Sequence, residues 1–263
     1  MRLGFIGAGN MAQAMIGGIL AKEIVKKEDI IASAATQNTI DKVAKEFGIN
    51  VTLDNREVAK ADIVFLAVKP FYYEEVIDGI KDVVDEKQLI ISVAAGKSVE
   101  WVENAFGGKK KIVRIMPNTP ALVGEAVTAI CPNANITDGE KQEIVELIAS
   151  FGLAQIVSEK IMDAVIAVSG SSPAYVFMFI EAMADAGVKL GLPRAKAYKL
   201  AEQSILGSAK LALETGKHPG VLKDEVCSPG GTTIEAVIDL EKNGLRNTVI
   251  SAIEKCANKS KNI

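Results

Sequence analysis

The chain has 263 residues, 49% of them hydrophobic, and a formal net charge of −3 from 30 basic and 33 acidic side chains. With no basic stripe or arginine-rich block, the composition argues against nucleic acid as a partner. Three scattered cysteines (Cys131, Cys227, Cys256), no CxxC pair and one histidine, His218, argue against a zinc site or disulfide framework, so no metal is expected.

The opening stretch "MRLGFIGAGNM" has no apolar leader ahead of a cleavage site and reads as a strand. Short apolar runs at 2–6, 30–33, 63–67, 89–93 and 112–116, several rich in Val and Ile, predict buried parallel strands. Helices are expected between them at 10–22, with Met11, Met15 and Ile19 on one face, and at 41–47 and 72–80. Runs at 127–130 and 153–157, with a helix at 138–150 between them, extend the sheet. Strand and helix in alternation predict a doubly wound α/β domain.

After about Glu159 the strand signals stop and the pattern is helical. In "SSPAYVFMFIEAMADAGVKLG", Ser172 reads as an N-cap with Pro173 at the first helical position, and Gly191 closes the helix. Seven consecutive apolar residues, 174–180, predict burial on most sides, with Glu181, Asp185 and Lys189 as a wet stripe. The next helix runs from Pro193 to Gly216 and carries the small residues Ala197, Ala201, Ser204, Gly207 and Ser208, which allow close helix approach. So buried a helix in about a hundred residues predicts a dimer; the alternative is a monomer that folds these helices onto its own first domain. The uncharged run 164–180 is broken by "SGSSP" and short for a bilayer span. A reduced, soluble, cytoplasmic protein with no membrane partner is expected.

In "LGFIGAGNMAQAM" the pattern Gly7-x-Gly9-x-x-Ala12 follows the first strand and opens a helix. Gly7 permits a tight turn, Gly9 lets a pyrophosphate touch backbone, and Ala12 lets helix and strand pack closely. The turn from Ile6 through Gly7, Ala8, Gly9 and Asn10 to Met11 is therefore a candidate dinucleotide cradle on a helix N-terminus. The second strand ends "IIASAATQNT", without the acid that accepts from an NAD ribose. Ser33, Thr36, Gln37 and Asn38 offer neutral donors there, which points to NADP. In "FLAVKP", Lys69 ends a buried strand where ligands bind in open α/β sheets, although a solvated strand-end lysine fits that position equally well.

The stretches "GFIGAGNMA", "FLAVKP", "IMPNTPALVGE", "SGSSPAYVF" and "VCSPGGTTIEA", in this order and at these distances, resemble the pyrroline-5-carboxylate reductase family over residues 2 to about 254. The resemblance implies NADPH- or NADH-dependent reduction of the cyclic imine 1-pyrroline-5-carboxylate to L-proline, the last step of proline biosynthesis. It implies a fold of class α/β: an N-terminal Rossmann-type doubly wound sheet at 1–158, followed by an all-α dimerisation and substrate-binding domain at 159–263. It also implies a homodimer and, in many relatives, a ring of five dimers (a pentamer of dimers). The family's adenosine-ribose contact falls on Asn55, and its nicotinamide-side contacts on Ala67, Val68, Lys69 and Pro70 and on Ala94 and Ala95. Two departures are visible: "SAATQN" lacks the arginine some relatives carry, and Ser171 stands where glycine is frequent.

"VCSPGGTTIEA" places a proline and two glycines at a helix start, which makes an anion site of free N–H groups. On sequence alone an ordinary Ser-Pro cap with flexible glycines reads it equally well. The resemblance makes Ser228, Gly230, Gly231, Thr232 and Thr233 the holders of the substrate carboxylate and ring. Imine reduction needs orientation and a donor near the ring nitrogen more than an acid–base histidine, and Thr233 is the catalytic candidate. His218, in "GKHPG", reads as a turn residue, and Asn118, in "RIMPNTP", as part of a rigid turn walling the cleft. Two other readings compete. A 2-keto or 3-hydroxy acid reductase would need an acid/base Lys, His or Asn on a helix of the second domain, and "SGSSPAY" supplies no Lys there. A nucleotide-sensing protein without catalysis would be expected to lack the intact "SPGGTT".

Overall fold

A computed structural model describes residues 1–261 and divides into two compact units, 1–171 with the segment from Cys256 onward, and 172–255. The first unit is built on an eight-stranded sheet. Its strands are β1 (Leu3–Ile6), β2 (Ile30–Ser33), β3 (Asn50–Thr52), β4 (Ile63–Leu66), β5 (Leu89–Ser92), β6 (Lys111–Met116), β7 (Ala126–Pro132) and β8 (Gly152–Ile156). Their order across the sheet is β3-β2-β1-β4-β5-β6-β7-β8. All neighbouring pairs are parallel except β6 with β7. The helices of this unit are α1 (Asn10–Ala21), α2 (Gln37–Phe47), α3 (Asn55–Val58), α4 (Tyr73–Ile80), α5 (Val99–Ala105), α6 (Asp138–Ala149) and α7 (Met162–Val165).

Alternation along the strands feeds two cores. Leu3, Phe5, Ile63 and Phe65 join Met15, Ile19, Val43 and Ile148 on one face. Ile6, Val64 and Leu66 join Val58, Ile77 and Val102 on the other. Phe5 stacks on Phe65 with ring centroids 4.4 Å apart, and such fully buried side chains each contribute about 1.5–3 kcal/mol. Helix starts follow local chemistry. Thr36 caps α2, Ser98 caps α5, and Thr137 with Glu140 forms a capping box on α6.

The second unit holds α8 (Ser172–Lys189), α9 (Arg194–Thr215), α10 (Pro219–Val226), α11 (Thr232–Lys242) and most of α12 (Leu245–Ser260). Pro193 and Gly216 flank α9, as its sequence predicts. Two expectations need correction, and the burial read for α8 is not completed within one chain, as the dimer reading expects. Ser172 is the first residue of α8 and not its N-cap: the preceding Ser171 already has helical φ and ψ, reached through a π-helical turn at Ile166–Gly170. That turn carries the helix through "SGSSP", so the helical run Glu159–Lys189 is, by length and composition alone, long and apolar enough to cross a membrane. Nor is α8 buried within one chain. Phe177 and Met178 are 62% and 69% exposed, and only Ala184 is buried. The apolar run records a burial that one chain does not complete.

Candidate active site

At the carboxyl end of β1 the chain turns through Gly7, whose φ of +96° suits only glycine. A Cβ there would sit 2.7 Å from the Ala67 carbonyl oxygen and 2.9 Å from Val68 Cγ1, so the glycine turn presses against the end of β4. The Gly7 N–H donates to the Ser33 carbonyl at 3.1 Å, and the Ala67 N–H to that of Ile6 at 2.8 Å. Three strand ends are thereby tied around one loop. Gly9 is the N-cap of α1; its missing side chain leaves open space, and no side chain caps the helix. The first turn also carries no acid, so its N–H groups face outward as a fit for phosphate. Ala12 is buried under this turn, as the third fingerprint position requires.

The other nucleotide-site candidates gather along the same edge. Ser33 is fully buried and its hydroxyl donates to Asn55 Oδ1 at 2.7 Å, which ties the end of β2 to the start of α3. Thr36 caps α2 by accepting from the Thr39 N–H, and Gln37 Nε2 donates to Asp41 at 2.8 Å. Ile6, Ala8 and Ala94 are buried and present backbone, whereas Asn10 is exposed and Met11 half-buried. Lys69 is exposed, with Nζ 6.0 Å from the Phe71 ring centre, beside the half-buried Pro70. Ala95 follows Ala94 at the end of β5.

Sequence reasoning missed the side chains that brace this edge. The buried Tyr73 hydroxyl donates to the Leu66 carbonyl at 2.5 Å and accepts from the Val93 N–H at 3.1 Å and the Ser92 hydroxyl at 3.3 Å. It spans the ends of β4 and β5, and burial pushes its pKa up to about 12. Arg114, buried on β6, pairs with Glu159 at 2.9 Å, and the same carboxylate oxygen accepts from the Val99 N–H that starts α5. Burial first, then Glu159, pushes the neighbouring Cys131 thiol up, so it is no nucleophile. A tyrosine just past a strand end and an arginine inside an apolar strand were the available signals, since each needs a partner once buried.

In the second unit α11 begins at Gly231, again with no side chain capping it. Gly230 takes φ +65°, and the Gly231 N–H donates to the Ser228 carbonyl at 3.0 Å. A Cβ on Gly231 would approach that same carbonyl to 3.0 Å. Ser228 and Thr232 are exposed and Thr233 is half-buried; none of the three hydroxyls has a hydrogen-bond partner among the described residues. This end of α11 therefore presents N–H groups and hydroxyl donors, as recognition of a small carboxylate requires. His218 caps α10 by accepting from the Gly220 N–H at 3.1 Å. The dinucleotide candidates thus share one edge of the first unit, and the "SPGGTT" candidates lie in the second. Among the described residues no cluster of three or more metal-ligating side chains occurs.

A glycine cradle on an uncapped helix start, at the carboxyl edge of a parallel sheet and followed by a helical second unit, defines a two-domain nicotinamide-dependent oxidoreductase. Residues 2–96 match the family described as NADP oxidoreductase, coenzyme F420-dependent, and residues 159–263 match pyrroline-5-carboxylate reductase dimerisation. The chain is 47% identical over 263 residues to the pyrroline-5-carboxylate reductase of Escherichia coli K12, covering 100% of this chain and 98% of that protein. The Coxiella burnetii pyrroline-5-carboxylate reductase superposes with a TM-score of 0.94 at 36% identity, covering 99% of this chain and 97% of that one. The Plasmodium falciparum pyrroline carboxylate reductase, solved with NADP bound, superposes with a TM-score of 0.89 at 37% identity over the same shares. The chain belongs to the pyrroline-5-carboxylate reductase family.

Proposed function

We propose that the chain reduces 1-pyrroline-5-carboxylate to L-proline with NADPH, as the last step of proline biosynthesis in the cytoplasm. The observation that carries this reading is the uncapped start of α11, with three unpartnered hydroxyls beside free backbone donors. A ring with one carboxylate and one imine nitrogen asks for this donor set. Gly230 and Gly231 leave room for the carboxylate, the first-turn N–H groups of α11 with the Ser228 and Thr232 hydroxyls hold it, and the Thr233 hydroxyl faces the ring nitrogen. A bound nicotinamide supplies the hydride. The protein's part is to orient the imine, since proximity of reacting atoms at roughly 3–3.5 Å replaces strong acid–base chemistry. In the first unit the loop from Ile6 to Met11 holds the pyrophosphate. Ala67 to Pro70 and Ala94 to Ala95 line the nicotinamide side, and Asn55 meets the adenosine ribose; the fully buried Ser33 hydroxyl, read from sequence as a phosphate donor, instead braces Asn55.

The preference for NADPH rests on the start of α2, whose first turn has no acid and whose N–H groups at Gln37 and Asn38 suit a 2′-phosphate. Residues 1–158 serve as the nucleotide domain and 159–263 as the dimerisation and substrate domain. A second copy, not lipid, covers the apolar face of α8, since Glu181 and Asp185 interrupt the helix with charge. Dimers assemble further into rings of five. Loss of NADPH absorbance on adding pyrroline-5-carboxylate to the purified protein, compared with NADH, tests the reading. No oxidation of either cofactor would overturn it.

A further inference from the structure

Asn118 lies in the turn that leaves β6 at the nucleotide edge of the sheet, with 7% of its surface exposed. Both ends of its amide are engaged. Oδ1 accepts from the Val127 N–H on β7 at 2.9 Å, and Nδ2 donates to the Ser169 carbonyl at 2.9 Å. These partners lie 9 and 51 residues away in the chain. Ser169 belongs to the π-helical turn Ile166–Gly170, where the Ser171 N–H reaches back to Ile166 at 2.8 Å. The Asn118 amide thus joins the turn after β6 to this π-helical turn across the fold. Single π-helical turns inside helices are frequent at functional sites.

We infer that Asn118 is a positioning residue for the reduction, fastening the 117–123 turn to the π-helical turn and to β7 without touching either reactant. The amide provides an acceptor for Val127 and a donor for Ser169 from one rigid plane. The inference rests on the reductase reading. Losing the donor loosens the 117–123 turn at the carboxyl edge of the sheet that carries the nucleotide candidates, and the expected penalty falls on orientation more than on nucleotide affinity.

Asn118→Asp, nearly isosteric, keeps the acceptor for Val127 and, assayed at alkaline pH where the carboxyl is ionised, sets a carboxylate against the Ser169 carbonyl; Asn118→Leu removes both bonds. In the full-length protein three readouts decide: kcat and KM for the imine, NADPH affinity by fluorescence, and hydrogen exchange at the Val127 amide. In Asn118→Asp the expected kcat falls about a hundredfold, the scale on which a 1 Å misplacement acts, with NADPH affinity unchanged and Val127 still protected. Asn118→Leu should lose Val127 protection as well. A kcat for Asn118→Asp within twofold of the parent would overturn the inference. So would a joint fall of kcat, NADPH affinity and Val127 protection in that variant, or its failure to fold, because the amide would then serve stability alone. A parent protein that does not oxidise NADPH would refute the reductase reading and this role in reduction with it, whereas a low Asn118→Asp rate beside an active parent bears on Asn118 only.

Discussion

Tyr73→Phe removes one oxygen from the junction between the ends of β4 and β5, and its cost can be worked out bond by bond. The Leu66 carbonyl and the Val93 N–H still pair with each other at 3.2 Å once the hydroxyl is gone. The Ser92 hydroxyl, fully buried, loses the partner it donates to. One lost hydrogen bond plus one unsatisfied buried hydroxyl amounts to about 1–3 kcal/mol. Titration supplies a second signature. The folded state prefers the neutral phenol, so its pKa rises from 10.0 to about 12, with burial as the first cause. The contribution is therefore complete below pH 10 and is lost as pH rises from 10 to 12, at about 1.4 kcal/mol per pH unit. The Phe variant lacks this titration, so the parent's advantage should shrink by about 2–3 kcal/mol across that window. Urea unfolding followed by Trp101 fluorescence suits the measurement, because Trp101 is the sole tryptophan and its ring lies 6.5 Å from that of Tyr73. Equal stability of the two proteins at pH 8, or a difference that stays constant from pH 8 to 11.5, would refute the reasoning.

Thr36→Asp should move kcat/KM from NADPH toward NADH by repelling the 2′-phosphate, without cost to α2, because Asp caps a helix as well as Thr does; a parent that uses both cofactors equally defeats this argument. Thr233→Ala should lower kcat within a range of about 10²–10⁴-fold while Thr233→Ser retains most of the rate, and an unchanged kcat in the alanine variant removes Thr233 from the chemistry. Gly231→Ala should chiefly raise KM for the imine and weaken inhibition by proline, with a smaller stability loss from the Cβ pressed against the Ser228 carbonyl. Met178→Glu changes a side chain that one chain leaves 69% exposed, so sedimentation should report dissociation with helicity retained; an intact oligomer would place the interface elsewhere.

The apolar runs located seven of the eight strands: six are largely buried and nearly continuous in apolar residues, and the more exposed β8 still carries an apolar run. The eighth, β3, has three residues at the sheet edge and too little pattern to register, and the short helices α3 and α5 escaped for the same reason. The reversal between β6 and β7 was legible in principle. The nine residues between them, 117–125, are too few for a crossover helix, so the strands must run antiparallel. At the candidate site, Gly7, Gly9 and Ala12 could be read because each answers a steric demand fixed by its neighbours. Tyr73 and Arg114 could not, and Asn118 was read as a turn residue without its partners, since the strand ends and turns they join lie up to 51 residues apart in sequence. Ser172 was misread because Pro173 here follows a helical residue, reached through the π-helical turn at Ile166–Gly170.

A groove of about 850 Å³ on α8, α9 and α12, lined by Phe179, Met183, Ile205 and Val249 among others, stays uncovered in the single chain. A chain that pairs over this groove carries an apolar surface in the open until it meets another. Productive encounter rises with the square of chain concentration, and off-pathway clumping draws on the same exposed surface. Yield in the cell and after refolding is then set by a race between pairing and aggregation. Dilution becomes a slow inactivator whose onset reports the strength of the pairing.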